Sequence, residues 1–151
     1  MNKVRIVIRV RTTDEIQEVY DMVLDDMSRM FHPDCYTSRI RSDYAQVETT
    51  IHNITIELHE DNPYIMKGRR ANLVVLKDFL PESQDAFCEI YGIMIGIGGF
   101  VIDYDTFVKH YGKNGRGIMK YDVMANYHDY KCSQWKIEEA IGIERKHSWT
   151  F

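Results

Sequence analysis

The chain of 151 residues is long enough for one domain, spanning 1–151, that buries about two-thirds of the surface its unfolded form exposes. Apolar residues make up 44% of it and charged residues 28%, which excludes a disordered or fibrous class, and no apolar run reaches the roughly 18 residues of a membrane helix. The net charge of −4 excludes a generally cationic nucleic-acid coat and leaves room for a local basic patch.

Residues Lys3 to Arg11 alternate strictly, with Val4, Ile6, Ile8 and Val10 on one face and Arg5, Val7, Arg9 and Arg11 on the other. This predicts a half-buried strand with a basic outer face. The arginines inside this apolar stretch, and the lack of a small-residue cleavage site, argue against a signal peptide. Thr12 and Glu15 have the spacing of a capping box, and Ile16, Val19, Tyr20, Val23, Leu24, Met27 and Met30 recur at helical spacing up to His32-Pro33. A second strand is expected at Tyr44 to Ile51 and a third at Ile54 to His59, joined by a turn at His52-Asn53.

Leu73 to Leu76 is a short, wholly apolar strand, as a central position covered on both faces requires. Pro81 and Glu82 open a helix whose buried stripe is Ala86, Phe87, Ile90, Tyr91 and Met94, and Gly96, Gly98 and Gly99 end it. The same glycines superficially match a dinucleotide fingerprint, but they lie at a helix end and not between a strand and a helix start. Phe100 to Tyr104 is a further strand, Gly112 to Gly117 a basic loop, and the remainder to Phe151 is expected to be mainly helical around Trp135, Ile137, Ala140 and Ile141. The element order βαβββαβα predicts an α/β fold with a mixed β-sheet and packed helices. An α+β ferredoxin-like arrangement is the alternative.

The cysteines Cys35, Cys88 and Cys132 are far apart and odd in number, which suggests free thiols in a reducing, cytoplasmic compartment.

The stretch from Ile54 to Ser83 combines an alternating strand, the loop Lys67-Gly68-Arg69-Arg70, the apolar strand Leu73–Leu76 and then Lys77-Asp78. With the helix from Glu82 and the strand Phe100 to Tyr104, this order resembles the Walker-B half of the ATPase core of phage terminase large subunits and related packaging motors. The departures are specific. No Gly-x-x-x-x-Gly-Lys-Ser/Thr loop occurs, and Lys77 stands where that family places a magnesium-binding carboxylate, leaving Asp78 as the acidic residue. The resemblance implies a motor-like core without ATPase chemistry, of phage origin and located in the host cytoplasm.

Three groups of residues carry candidate chemistry. Arg5, Arg9, Arg11, Arg39, Arg41, Lys67, Arg69 and Arg70 together form a basic surface for nucleic acid or an acidic protein partner, since guanidinium groups grip phosphate through a planar fork. The competing reading is a solvated face, neutralised by Glu57, Glu60, Asp61 and the six acids of the first helix. Asp78, Asp103 and Asp105 at strand ends, with His110 as acid or base, fit a magnesium-dependent phosphoesterase or nuclease. For Asp103 and Asp105 the simpler reading is a helix cap. His32, Cys35, His128 and Cys132 have zinc-ligand spacing, against which stands independent packing of each residue.

With no complete catalytic motif, the sequence reads as a non-catalytic binding protein, a phage accessory or host-takeover factor acting through the arginine face. The phosphoesterase is the alternative, and no bound cofactor or membrane association is expected.

Overall fold

Alternation of apolar and polar residues in Val4–Val10 produces the first strand, β1, which becomes one of the two central members of a six-stranded sheet. The structure is a computed structural model and describes residues 4–41, 44–49, 54–60, 71–111 and 126–143. Helix α1, Asp14–Met30, follows β1, and a short 3-10 turn at Pro33–Cys35 leads into β2, Tyr36–Ile40. Strands β3, Tyr44–Thr49, and β4, Ile54–Glu60, come next, then β5, Leu73–Leu76, and α2, Gln84–Gly96. Strand β6, Phe100–Asp103, runs directly into α3, Tyr104–His110, and α4 spans Tyr127–Ala140.

The sheet order is β2-β3-β4-β1-β5-β6. Strands β4, β1, β5 and β6 are mutually parallel, while β3 runs antiparallel to β4 and β2 antiparallel to β3. The mixed sheet with packed helices is thus as the sequence predicts. A ferredoxin-like arrangement is corrected, because its sheet is antiparallel and this one has a parallel core of four strands. All four residues of β5 are buried, as expected for a strand with neighbours on both sides and helices on both faces.

One face of the sheet, carrying Ile6, Ile8, Val10, Ala45, Val47, Leu73, Val75 and Ile102, packs on Ile16, Val19, Val23 and Met27 of α1 and on Phe107 of α3. The opposite face, with Val7, Val74, Leu76 and Val101, packs on Phe87, Tyr91 and Met94 of α2. Helix α4 contributes Tyr130 to the first layer and Ile137 to the second, so it straddles the β6 edge. At the end of α2 the chain turns through Gly98 at φ 94, and Gly99 lies so close that a Cβ there would stand 2.6 Å from the Ala71 carbonyl oxygen.

Three local expectations are corrected. β2 was not anticipated, and it is the edge strand that pairs with β3. The capping box does not form: Thr13 has helical backbone angles, makes no side-chain cap, and Glu15 is engaged elsewhere. Tyr104 opens α3 in place of ending β6, because Asp103 caps that helix by accepting the Thr106 N–H at 2.8 Å. The loops at His52-Asn53 and Gly112 to Gly117 lie outside the described residues.

Candidate functional site at the carboxyl edge of the sheet

From β1 the chain leaves through α1 on one face, and from β5 it leaves through α2 on the other. The carboxyl ends of β1 and β5 are therefore where the connections part, the place at which open α/β sheets leave a crevice for ligands. The register sets Arg9 beside Leu76 and Leu76 beside Asp103, so Lys77 and Asp78 emerge between the end of β1 and the start of α3. The Lys77 N–H donates to the Arg9 carbonyl at 2.9 Å, prolonging the β1–β5 ladder by one residue.

Lys77 is 8% exposed, and its ammonium lies 2.8 Å from Glu15 Oε2 and 3.0 Å from Asp78 Oδ2. The centre of the Tyr104 ring lies 5.2 Å from it, a further favourable contact for a cation otherwise costly to bury. The hydrogen bond to Glu15 is the main reason that this ammonium is held well above the ordinary lysine range, against the opposing pull of burial. Asp78, which follows, adopts φ 61, a left-handed backbone that aspartate tolerates better than most residues. Such a conformation at a strand end is stored strain, and it turns the carboxylate back toward Lys77.

Asp103 is bound into the scaffold. Its carboxylate accepts from the Thr106 N–H and hydroxyl and, at 2.6 Å, from Ser133 of α4. Burial pushes this carboxyl up, and the bonds from Ser133 and Thr106 outweigh it, so that it sits below the usual carboxylate range. Tyr104 is pushed up, chiefly by burial.

The structure divides the proposed metal-phosphoesterase set. Asp78 and Asp103 end adjacent strands, but Asp103 is spent on its cap, Asp105 is exposed, and His110, at the far end of α3, bonds Asp129 at 2.9 Å. Among the described residues no three His, Cys, Asp or Glu side chains converge to hold a metal ion. Of the four residues with zinc-ligand spacing, His128 and Cys132 approach to 3.7 Å as neighbours on one turn of α4, and among the described residues His32 and Cys35 do not complete a cluster with them. Cys35, Cys88 and Cys132 are free of disulfides.

The arginine face is also corrected. Arg9 is 2% exposed, its guanidinium bonded to the Tyr91 hydroxyl and placed 5.7 Å from the centre of the Phe79 ring and 5.8 Å from that of Tyr91. The side of β1 that bears Arg5 and Arg9 is the side that α2 covers, so this cation is a core element and offers nothing to a partner. Arg11 is exposed at the strand end. Arg39 and Arg41 are exposed but lie with β2, three strands away from β1, about 14 Å at the usual strand spacing. Lys67, Arg69 and Arg70 lie outside the described residues. Sequence reasoning missed Glu15 and Tyr104 as partners of Lys77. The available signal was a lysine directly after a wholly apolar strand, where a buried cation demands an acidic partner.

Among the described residues no helix is long and apolar enough to cross a membrane. No family model matches the chain, and no curated protein matches it. Two solved structures resemble it, both of the large terminase ATPase domain of Thermus phage P74-26. One, an arginine-to-alanine mutant, has a TM-score of 0.45 at 13% identity, over 66% of this chain and 46% of that one. The other has a TM-score of 0.45 at 12% identity, over 93% of this chain and 76% of that one. The chain thus spans about half the length of the first of these structures. The weak resemblance to terminase ATPase cores read from the sequence is present in the structure too. The expectation of a non-catalytic binding protein acting through the arginine face is corrected by the burial of Arg9, because the face assigned to the partner is covered by α2.

Proposed function

We propose that the protein is a nucleotide-dependent enzyme that takes a nucleoside triphosphate with magnesium at the carboxyl edge of its sheet, over β1 and β5. The observation that carries this reading is Lys77, a nearly buried ammonium clamped by Glu15 and Asp78 where the two connections part. The lysine neutralises two carboxylates. A magnesium nucleotide offers both members of a replacement, phosphate oxygens for the ammonium and a hard cation for the carboxylates. The exchange keeps every charge paired, so it avoids the cost of leaving a half-buried ion alone.

The donor set suits this ligand, since Glu15 and Asp78 supply the oxygen ligands that magnesium requires and magnesium commonly needs only one or two carboxylates beside the phosphates. Magnesium would neutralise charge developing on the phosphates. Lys77 would bind and orient them, and Asp78, the more exposed carboxylate, would hold the attacking water. Thr12 and Thr13, in the turn between β1 and α1, place hydroxyl groups beside the helix N-terminus, a position that a glycine-rich loop occupies in P-loop enzymes. The test is release of inorganic phosphate from ATP and GTP with magnesium, by the wild type and by Lys77→Ala and Asp78→Asn. Turnover by the wild type that falls at least tenfold in both variants is expected; no turnover with any triphosphate, or turnover indifferent to both substitutions, overturns the reading.

A further inference from the structure

The two edges of the sheet are treated differently. At the β6 edge, α4 lies alongside and its side chains take up free backbone donors: Gln134 Oε1 accepts the Val101 N–H at 3.0 Å and Ser133 Oγ accepts the Asp103 N–H at 2.9 Å. At the other edge, β2 has β3 on one side and, among the described residues, no further strand, and Thr37 to Ile40 are all exposed. Its five residues include no proline, and Arg39 is their one charge.

We propose that β2 pairs antiparallel with β2 of a second copy of this chain, about a two-fold axis at Ser38. The ladder decides which backbone groups are available. The Arg41 N–H donates to the Tyr44 carbonyl at 2.7 Å, so that pair is a hydrogen-bonded one. Antiparallel pairs alternate, and hence Arg39 and Thr37 bond inward to Gln46 and Glu48, while Tyr36, Ser38 and Ile40 turn their N–H and C=O groups outward. A two-fold axis at Ser38 then sets Ser38 against the partner's Ser38 and Tyr36 against the partner's Ile40, and every outward group of the three finds its complement.

The side chains suit the same register. On the α1 side, Tyr36, packed against the core, meets the partner's Ile40, which is among the exposed large apolar residues of the chain at 38%. On the opposite side, Thr37 meets the partner's Arg39, so the two arginines never face each other. Beyond Thr37 in the same row lies Glu48, its neighbour on β3. Thr37, Ser38, Arg39, Gln46 and Glu48 line a polar recess of about 200 Å³ that takes the incoming guanidinium and offers it a carboxylate. In the single chain Arg39 donates to Gln46 Oε1 at 2.6 Å and lies over Tyr44, contacts it exchanges on pairing for the partner's recess.

The test is sedimentation equilibrium of the full chain across a wide concentration range, with Thr37→Arg and Thr37→Glu beside the wild type and circular dichroism to verify that each is folded. A concentration-dependent dimer is expected for the wild type. Thr37→Arg sets like charges opposite one another twice per dimer and should weaken association roughly tenfold, whereas Thr37→Glu faces the partner's Arg39 and should tighten it several-fold. A wild type that stays monomeric throughout, or a dimer whose constant neither substitution changes, overturns the proposal.

Discussion

Arg9 and Lys77 are two cations at neighbouring strand ends, and the physical difference between them is what faces each one. Arg9 has aromatic rings and a tyrosine hydroxyl, which suit a weakly hydrated, delocalised charge. Lys77 has two carboxylates, which suit a compact one. Replacing Arg9 by Glu inverts the charge in that aromatic pocket. It should cost about 3 kcal/mol or more, a fall in melting temperature of roughly 6 °C or greater by calorimetry, while Arg11→Glu at the exposed end should move it by no more than about 2 °C. Equal effects of the two would show that Arg9 is not the buried member. Asp103 supplies a pH-dependent prediction. Its folded-state carboxyl lies below the ordinary value, so its stabilising contribution is present above about pH 4 and is lost as pH falls through the folded-state value. Urea midpoints measured from about pH 6 down to pH 2 should therefore fall less steeply for Asp103→Asn than for the wild type. For Lys77 the sign is opposite: its contribution is complete below about pH 10 and disappears only as pH rises further.

At the scale of elements, α4 protects the β6 edge by the side chains Ser133 and Gln134, and both are buried polar groups whose position in the helix has no meaning without that strand. Gln134→Leu leaves the Val101 N–H without an acceptor inside the protein and should cost about 1–3 kcal/mol in urea unfolding, with an unchanged m-value. No loss would mean that the bond contributes nothing to the edge. The regular elements were legible because their apolar spacing is strong: β1 alternates with Val7 as its one exception, β5 is apolar throughout, and α1 and α2 carry full helical stripes. β2 was not legible, because Tyr36–Ile40 is short, polar and exposed and owes its strand conformation to pairing with β3. The Thr12 and Glu15 pattern misled for a similar reason: local spacing permits a capping box, but an ion pair with a lysine 62 residues further on takes Glu15 away.

At the scale of the molecule, a mixed sheet between two helical layers brings the ends of β1 and β5 together with the first turn of α1 and the start of α3, and that junction is the candidate site. Its location follows from topology, which sequence order alone does not reveal: Lys77 and Asp78 were visible as a departure from a terminase-like pattern, but Glu15 and Tyr104 join Lys77 only through tertiary contacts. The arginine pattern on β1 was equally visible and pointed the wrong way, because alternation marks two faces and does not say that both are covered. The central claim is that a magnesium nucleotide displaces Lys77 from its two carboxylates. Isothermal titration of MgATP into the wild type and Lys77→Met tests it most directly: saturable binding by the wild type, weakened at least tenfold by the substitution in a protein that remains folded, is the predicted result, and equal affinity in both, or no heat of binding in either, would contradict it.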